Sequence, residues 1–401
     1  MTSTDPLIII GAGLAGWTTV REFRKLDSTT PVLLITADGG HFYAKPSLSN
    51  AFAQKRAPEH LVSTPAAKMV ETQNVTLLAH TRVEAIHPAT RSITTSKGEF
   101  RYSQLVLATG AQPIRVPVAG NAADAVQSVN SLDDFARFHT HLTGEPQRQK
   151  HVLIMGAGLI GCEFANDLVA SGYAVTVADP SSGPIAALLP LEASTQLREA
   201  LADLGVNWHF GATVRAVNTV ATGSPFAGHL QVELSNGHLA LVDAVLSAIG
   251  LRADTSLAQA AGLTCERGVV VDAALQTSAE HIYALGDSAQ YTSAGGRTLP
   301  YVMPIMNAAK ALAATLAGTR TEVVFPLMPV AIKTPALPIV VAAPAPGTPG
   351  EWRSVAPSQS GGEPGESGIW QFIDAQGQQR GFVLTGKQTT RRAEQAKLVT
   401  A

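Results

Sequence analysis

The sequence is poor in cysteine, balanced in charge and free of long apolar runs. Its 401 residues contain two cysteines, Cys162 and Cys265. Neither has a partner at a motif spacing, so a disulfide framework and a cysteine-rich zinc site are excluded and we expect no metal. The 29 basic and 31 acidic residues give no global field for nucleic acid or a membrane surface. No apolar stretch reaches the ~18 residues of a spanning helix, and the N-terminus shows no charged leader or cleavage site. We therefore expect a soluble, cytoplasmic protein of two or three domains.

The chain does contain one glycine pattern twice, Gly11 to Gly16 (GAGLAG) and Gly156 to Gly161 (GAGLIG). Each copy follows a short apolar run typical of a buried parallel strand, and helices are predicted after them over 17–26 and 162–170. In such a unit the first glycine makes the turn, the second lets the backbone approach a pyrophosphate, and the third lets helix and strand pack closely. The phosphates then meet the N-terminus of the helix. One copy alone can be a turn without a ligand, but two copies in this context predict two bound dinucleotides.

The two copies differ at the end of their second strands. The strand 174–178 (AVTVA) is followed by Asp179, at about the twenty-residue spacing of a carboxylate that accepts from a ribose 2′-hydroxyl. This carboxylate would repel a 2′-phosphate, and no arginine follows at 180–184, so NADH is favoured over NADPH. The strand 32–35 (VLLI) is followed by Thr36 and Ala37. A hydroxyl stands there in place of the acid, and we expect the backbone of these two residues to bind the ribose.

Three further segments end a short apolar strand in a glycine: 104–110 (QLVLATG), 243–250 (DAVLSAIG) and 282–287 (IYALGD). In the last one Asp287 follows the glycine; alone it would equally be an ordinary turn, but after two fingerprints it predicts that the chain returns to its first domain. The predicted fold is α/β, with two Rossmann-like, three-layer nucleotide-binding domains. The first is discontinuous, over 1–117 and 244–321, and the second covers 118–243, opening after a polar stretch at 144–150.

A small α+β C-terminal domain is predicted over 322–401. Strands are expected at 329–334 and 338–343, followed by a Gly/Pro/Ser/Glu-rich loop at 344–368 and a hairpin over 369–384. A closing helix is expected over 386–398.

Taken together, segments 11–16, 108–110, 156–163, 248–250 and 283–287 resemble the FAD-dependent pyridine nucleotide-disulfide oxidoreductase superfamily over essentially the whole chain. Within it, residues 43–49 (YAKPSLS) and 331–338 (AIKTPALP) resemble the rubredoxin reductases, NADH-linked flavoproteins of alkane-oxidising and related bacteria. The resemblance implies a tightly bound, non-covalent FAD in the first domain and NADH as co-substrate in the second. The implied FAD contacts are Gly11, Gly13, Leu14, Ala15, Gly16, Thr36, Ala37, Lys45, Val83, Ala108, Thr109, Gly110, Asp287, Val302 and Lys333. The implied NAD contacts are Gly156, Gly158, Leu159, Ile160, Gly161, Glu163, Asp179 and Gly250.

Lys45 and Glu163 are the charged residues that the resemblance places beside the flavin, as a pair without an acid or base role. Glu163, two residues past the second fingerprint, is expected in the first turn of its helix beside the nucleotide; the alternative is a solvated lysine and a glutamate on a helix face. Lys333 lies in an apolar, proline-punctuated stretch, so its ammonium needs a partner if buried. The resemblance implies contact with FAD; the alternative is exposure on an edge strand. Cys162 is interpreted as a small buried residue in helix packing rather than a reactive thiol.

The redox cysteines of the superfamily are absent: residues 45–50 read KPSLSN where one branch carries a cysteine. Without a thiol relay, electrons must leave the flavin directly, which favours a one-electron protein acceptor. The resemblance thus implies an NADH:rubredoxin reductase, with hydride transfer from NADH to flavin N5 and single electrons passed to the rubredoxin iron. The electrons would serve an alkane hydroxylase or an oxygen-reducing system. The alternatives are a ferredoxin or flavorubredoxin reductase, and an NADH-sensing flavoprotein.

Two basic helix faces are candidate docks for rubredoxin, which is acidic as a family. One carries Lys387, Arg391, Arg392 and Lys397, and the other Arg21, Arg24 and Lys25. Both can equally be solvated faces. The lack of a long dimerisation domain favours a monomer.

Overall fold

The computed structural model describes residues 5–144, 149–221, 223–224, 226–355 and 367–400. The helices of this part of the chain are α1 (Leu14–Arg24), α2 (Ala66–Gln73), α3 (Leu132–Thr143), α4 (Leu159–Ala170), α5 (Leu191–Asp203), α6 (Ser256–Ala260), α7 (Val302–Leu316) and α8 (Arg392–Leu398). Short 3-10 helices cover Lys45–Asn50, Pro58–Leu61, Ala123–Ala125, Gly286–Ser288, Thr292–Ala294 and Gly386–Arg391. None of the helices in these ranges has the length and apolar character needed to cross a membrane.

The strands, in chain order, are β1 (Leu7–Ile10), β2 (Val32–Ile35), β3 (Phe42–Tyr43), β4 (Val62–Thr64), β5 (Thr76–Leu78), β6 (Val83–His87), β7 (Ser92–Thr95), β8 (Gly98–Arg101), β9 (Gln104–Leu107), β10 (Ala111–Pro113), β11 (Val126–Gln127), β12 (His151–Met155), β13 (Ala174–Asp179), β14 (Val206–Phe210), β15 (Val214–Thr219), β16 (Leu230–Leu234), β17 (Leu239–Val242), β18 (Ala244–Ser247), β19 (Leu251–Ala253), β20 (Val269–Val271), β21 (Ile282–Ala284), β22 (Ala289–Tyr291), β23 (Val330–Ile332), β24 (Ile339–Ala342), β25 (Gly350–Val355), β26 (Ile369–Asp374) and β27 (Gln379–Thr385). They divide between two compact units.

The first unit comprises Met1–Lys45, Val62–Gln112 and Leu251–Met328. Its main sheet has the order β21-β9-β1-β2-β5 and is parallel throughout. The strands β1 and β2 are apolar and buried at every position, as expected for a parallel sheet covered on both faces. Helices α1 and α7 pack against one another, and an antiparallel sheet, β6-β7-β8, follows β5 in the chain. In a parallel sheet all carboxyl ends lie at one edge, so the turns after β1, β2, β9 and β21 share one edge.

The second unit comprises Pro46–Leu61, Pro113–Gly250 and Pro329–Ala401. It contains a second parallel sheet of order β11-β18-β12-β13-β14 and an antiparallel sheet β15-β16-β17. One apolar core cluster of this unit combines buried residues of the parallel strands β12, β13 and β18 with buried residues of the antiparallel strands β15, β16 and β17. The turns after β12, β13 and β18 therefore share one edge of this sheet.

The C-terminal segment of the second unit forms an antiparallel sheet of order β23-β24-β27-β26-β25. Thr385, at the end of β27, donates to Gln196 Oε1 of α5 at 2.8 Å. The predicted hairpin over 369–384 is confirmed as β26 and β27. The predicted loop at 344–368 was wrong in one part, because β25 lies within it and pairs with β26, with Trp352 packed edge-on against Phe372. Residues 356–366 of that loop and 145–148 of the predicted polar stretch lie outside the described residues.

Two sequence-based boundaries differ from the structure. Both fingerprint helices begin three residues earlier than predicted, at Leu14 and Leu159, because the helix starts inside the glycine pattern. The strand β18 belongs to the second sheet, where it pairs with β12, whereas residue 244 was expected to open the return to the first domain. The division into 1–117 with 244–321, 118–243 and 322–401 otherwise stays a prediction.

Candidate functional site

The first glycine pattern forms a tight turn between β1 and α1. Gly11 has φ +108°, and a Cβ there would lie 2.2 Å from the Ala108 carbonyl oxygen. A Cβ on Gly16 would lie 1.9 Å from the Gly11 carbonyl oxygen, so this glycine is required for helix α1 to pack on its own turn. A Cβ on Gly13 would meet nothing within 4 Å. The middle glycine therefore faces open space in front of the helix N-terminus.

The second pattern repeats this geometry between β12 and α4. Gly156 has φ +101° and its Cβ would lie 2.7 Å from the Ala248 carbonyl oxygen, while a Cβ on Gly161 would lie 2.0 Å from the Gly156 carbonyl oxygen. Gly158, like Gly13, faces open space. Both helices have a glycine as the N-cap residue, so no side chain caps their first turn, and neither has an acidic residue in that turn. Their free N–H groups and positive dipole ends suit an anionic group.

Glu163 was expected in the first turn of its helix, and this was wrong. Because α4 begins at Leu159, Glu163 is its fifth residue and lies in the second turn. Leu159 and Ile160 occupy the first turn, and Ile160 is exposed.

A carboxylate ends the second strand of one copy, and in the other copy a carboxylate lies three residues past the end of that strand. Asp179 closes β13, and its oxygens accept from the backbone N–H of Ala157 at 2.6 Å and of Ser181 at 2.7 Å, which places it against the second fingerprint. Thr36 follows β2 and donates its hydroxyl to Asp38 Oδ1 at 2.7 Å. Sequence reasoning saw only the hydroxyl at Thr36, although the acid stands two residues further on in the chain.

The remaining residues predicted to contact FAD lie mostly at the same edge of the first sheet. Ala108, Thr109 and Gly110 follow β9, and Thr109 donates its hydroxyl to the Asp254 carbonyl oxygen at 3.1 Å. Asp287 lies in the 3-10 turn after β21. Burial raises the pKa of the Asp287 carboxyl, and the charge of Lys45 opposes that rise. The other predicted contacts in this unit are placed as follows: Leu14 and Ala15 in the first turn of α1, Ala37 exposed after β2, Val83 at the start of β6 and Val302 at the start of α7.

A buried polar cluster surrounds Glu163 within the second unit. Glu163 Oε2 accepts from the Ser49 hydroxyl at 2.6 Å and from the Lys333 ammonium, and its Oε1 accepts from the Lys333 backbone N–H at 3.0 Å. The ammonium also donates to the Ser49 oxygen at 3.2 Å. Lys333 follows the edge strand β23, and its partly exposed side chain forms an ion pair with Glu163. The partner that this lysine requires is Glu163, while the predicted Lys45–Glu163 pair and the contact of Lys333 with FAD stay predictions.

Sequence reasoning missed three members of this cluster, Ser49, Asn166 and Asp167. All three are buried, at 3% exposure each. The available signal was the spacing of Glu163, Asn166 and Asp167, which lie three and four residues apart in an otherwise apolar helix and so share one face.

Cys162 is fully buried, and its thiol donates to the Ala157 carbonyl oxygen at 3.3 Å. Burial, and then the negative charges of Asp179 and Glu163, raise the pKa of this thiol. The interpretation of Cys162 as a packing residue is confirmed.

The two basic faces differ in how many of their charges have partners within the chain. Arg24 donates to the carbonyl oxygens of Asp27, Gln73 and Asn74, and Lys25 pairs with Glu22 at 2.5 Å. Arg21 lies over the ring of Phe42. On the C-terminal helix, Arg391 pairs with Glu394 at 2.6 Å. Lys387, Arg392 and Lys397 are exposed and have no side-chain partner among the described residues.

The chain has two parallel sheets, and at the carboxyl edge of each a glycine turn leads into a helix N-terminus that suits an anion. This arrangement defines a protein that holds two dinucleotides. The chain belongs to the pyridine nucleotide-disulphide oxidoreductase family, whose model matches residues 5–314. A model described as the rubredoxin binding C-terminal domain matches residues 322–399.

Relatives support this placement. A rubredoxin-NAD(+) reductase from Alcanivorax borkumensis is 43% identical over 95% of this chain and 95% of its own length. A nitric oxide reductase FlRd-NAD(+) reductase from Aeromonas salmonicida is 40% identical over 84% of this chain and 83% of its own. The reductase of a covalent putidaredoxin reductase–putidaredoxin complex has a TM-score of 0.85 at 22% identity, covering 99% of this chain and 94% of that one. The predicted fold class and the resemblance to rubredoxin reductases are confirmed.

Proposed function

We propose that this chain is an NADH:rubredoxin oxidoreductase that holds FAD in its first unit and binds NADH in its second. The observation that carries the proposal is the full-length match: the relative named rubredoxin-NAD(+) reductase covers 95% of the chain, and residues 322–399 match a rubredoxin-binding domain. When bound, FAD converts the two-electron hydride of NADH into single electrons that a one-iron protein can accept.

The residues at both sheet edges fit this pair of dinucleotides. Gly13 and Gly158 leave room for a pyrophosphate at uncapped helix N-termini, where an anion is stabilised. The proposed FAD contacts in the first unit are the turn residues 11–16, 36–37, 108–110 and Asp287, with Lys45, Val83 and Val302. The proposed NADH contacts are Gly156 to Gly161, Asp179 and Gly250.

The proposed flavin-proximal residues Lys45 and Glu163 act by charge and position. Glu163 accepts three hydrogen bonds, two of them from Lys333, so its charge is compensated and its oxygens are committed as acceptors. A carboxylate whose two oxygens accept these hydrogen bonds holds its neighbours in place. Lys333 completes the proposed FAD contacts.

We assign acceptor docking to the face formed by Lys387, Arg392 and Lys397, named here the C-terminal basic face. These three side chains lie in the segment that matches the rubredoxin-binding model, and they are exposed and without partners in the described residues. The α1 face is the weaker candidate, because Arg24 is committed to three carbonyl oxygens. A cytoplasmic location belongs to the proposal, since NADH is recycled there.

A flavorubredoxin reductase is the second candidate function. It is favoured by the relative named nitric oxide reductase FlRd-NAD(+) reductase at 40% identity. The two candidates share the flavin chemistry and differ in the acceptor.

The test is stopped-flow reduction of the purified flavoprotein with NADH and with NADPH, followed by steady-state cytochrome c reduction with rubredoxin, flavorubredoxin or a two-iron ferredoxin added. We expect fast reduction by NADH, slow reduction by NADPH and electron flow that requires rubredoxin. Stimulation by ferredoxin alone would overturn the proposal. Stimulation by flavorubredoxin alone would establish the second candidate, and slow NADH oxidation with every acceptor would point to an NADH sensor.

A further inference from the structure

Helix α4 carries three buried polar side chains on one face. Glu163, Asn166 and Asp167 are 5%, 3% and 3% exposed, and their spacing places them side by side. The first belongs to the proposed flavin-proximal set, but the other two have no role in it. A buried carboxylate beside a second one is costly unless hydrogen bonds compensate it, so their partners are informative.

Asp167 and Asn166 bind the backbone of two other chain segments in the same unit. Asp167 Oδ2 accepts from the Phe52 N–H at 3.0 Å, and its Oδ1 accepts from the Ala53 N–H at 2.8 Å. Asn166 Oδ1 accepts from the Ala336 N–H at 3.0 Å. One helix thus holds two other segments of the chain. The first is the segment 46–61, which stands in the sequence between two stretches of the first unit, and the second is the loop that follows β23.

Among the described residues, these two segments supply the three hydrogen bonds that the Glu163 carboxylate accepts. The hydroxyl comes from Ser49, three residues before Phe52, and the ammonium and backbone N–H come from Lys333, three residues before Ala336. Helix α4 therefore carries the acceptor, Glu163, and also Asn166 and Asp167, which hold the two donor segments in place. Displacing either segment would move a donor away from Glu163.

Burial raises the pKa of the Asp167 carboxyl, while its two backbone hydrogen bonds and the charge of Lys333 oppose that rise. The two backbone N–H donors thus stabilise the ionised form of the Asp167 carboxyl against the cost of burial. The segment has a second, independent anchor: the Phe52 ring packs on Phe135 at 5.4 Å, on Tyr173 at 5.7 Å and in a stack on His139 at 5.4 Å. With this aromatic anchor in place, removal of the carboxylate should loosen the segment without unfolding the protein.

We propose that Asp167 is a positioning residue of the reductase, which acts through Ser49 to hold the Glu163–Lys333 pair in one geometry. The proposal rests on the proposed function of Glu163 and Lys333 beside the flavin. Asp167 is not among the proposed dinucleotide contacts; it fixes the backbone at Phe52 and Ala53, and Asn166 does the same for the loop at Ala336.

A double-mutant cycle on the FAD-loaded protein tests the proposal with Asp167→Ala, Ser49→Ala and the double variant. Each single change is expected to lower the limiting rate of flavin reduction by NADH about tenfold, with the Kd for NADH unchanged within about twofold. Because both act through one contact, the double variant should lose about tenfold as well, not about a hundredfold. Independent losses that multiply would overturn the proposal.

Limited trypsin digestion supplies a readout that does not depend on electron transfer. Lys55 is exposed and Arg56 follows it in the held segment. Asp167→Ala should accelerate cleavage after these residues by about fivefold, because local opening controls proteolysis, while Ser49→Ala should leave it unchanged. Equal cleavage of wild type and Asp167→Ala would overturn the proposal even if rubredoxin is not the acceptor.

Asp374 provides a matched control. It is a buried carboxylate of the same unit that accepts from the backbone N–H of Gln376 at 2.9 Å and of Gln378 at 2.8 Å. Asp374→Ala removes two backbone hydrogen bonds and also an ion pair with Arg380 at 2.6 Å, and it should still leave flavin reduction and cleavage at Lys55 as in the wild type. If Asp167→Ala fails to fold, Asp167→Asn, which keeps one acceptor oxygen, should show about a threefold loss of rate. Asp167→Asn also removes the negative charge. If this variant reduced the flavin at the wild-type rate, the proposal would be contradicted.

Discussion

At the scale of single residues, the two dinucleotide sites are distinguished by where their carboxylates lie. Asp179 ends its strand and faces the glycine turn, with both oxygens occupied by N–H donors. Asp38 lies three residues past the end of β2. Its carboxylate accepts from the Thr36 hydroxyl and from the Gly40 N–H, the latter at 2.9 Å. Only the first arrangement puts a negative charge against the fingerprint backbone itself.

Replacing Asp179 by alanine should weaken NADH binding and reduce the preference for NADH over NADPH by about tenfold or more, because the charge that repels a 2′-phosphate is removed. The ratio of the two Kd values, from stopped-flow flavin reduction, measures this. Asp38→Ala is the matched control in the first copy and should leave the ratio unchanged. A ratio that stays as in the wild type in Asp179→Ala would contradict the assignment.

Residue roles were predictable from sequence only where a local pattern carries them. The position of Asp179 beside the second fingerprint could be predicted from its distance along the chain to the glycines, and the burial of Cys162 from its place in an apolar helix; the role of Asp179 in binding NADH stays a prediction. Ser49 and Asp167 were not found, because their partners lie more than a hundred residues away. No spacing rule brings residue 49 to residue 163; only the packed structure does.

At the scale of elements, the strand–turn–helix unit explains why three glycines in each copy are not equivalent. The first and third are required by backbone contacts, at Gly156 and Gly161 in the second copy, whereas the middle one, Gly158, faces open space. The local fold therefore depends on two of them, and the third is the one that we propose leaves room for the ligand.

A Gly158→Ala variant should fold and retain FAD but bind NADH about tenfold or more weakly, because a methyl group then occupies the space proposed for the pyrophosphate. The Kd for NADH and the melting temperature test this together. Gly161→Ala is the contrasting variant: its Cβ would lie 2.0 Å from a carbonyl oxygen, so it should destabilise the protein by about 3 kcal/mol or more. Equal effects of the two changes on stability would refute the distinction.

Elements with a strong period or turn signal could be predicted, and those fixed by tertiary pairing could not. The apolar strands β1, β9, β12 and β13 and the hairpin of β26 and β27 follow from local sequence. The strand β25 was missed because its exposed, polar sequence becomes a strand only by pairing with β26. The assignment of β18 likewise depends on its parallel pairing with β12, which local sequence does not specify.

At the scale of the whole molecule, three partly buried histidines of the second unit tie stability to pH. Burial is the main cause that lowers the pKa of His139, His151 and His209. The unfolded chain then binds more protons than the folded one between each lowered pKa and about 6.5. Their contribution to stability is therefore complete above about pH 6.5 and is lost as the pH falls through that window.

The melting temperature should accordingly fall by a few degrees between about pH 7.5 and pH 5.5. His151→Gln should reduce the slope, because it removes a ring whose pKa is lowered by burial, against the opposing effect of its hydrogen bond to the Leu241 carbonyl oxygen at 3.0 Å. His60→Gln, at an exposed position, is the control and should keep the wild-type slope. An unchanged slope in His151→Gln would show that this histidine does not contribute.

The nearly neutral chain, with 29 basic and 31 acidic residues, leaves recognition of an acidic partner to local charge. The C-terminal basic face carries three exposed cations that have no side-chain partner in the described part of the chain. Reversing Lys387 and Arg392 to glutamate should lower kcat/KM for rubredoxin by about tenfold at low salt, because rim charges act mainly on association. The loss should shrink as ionic strength rises, since exposed charges are screened. Reduction of ferricyanide by NADH should stay unchanged, as it needs no docked protein. Lys25→Glu on α1 decides between the two faces: a loss there, with the C-terminal variant unaffected, would move the dock to α1.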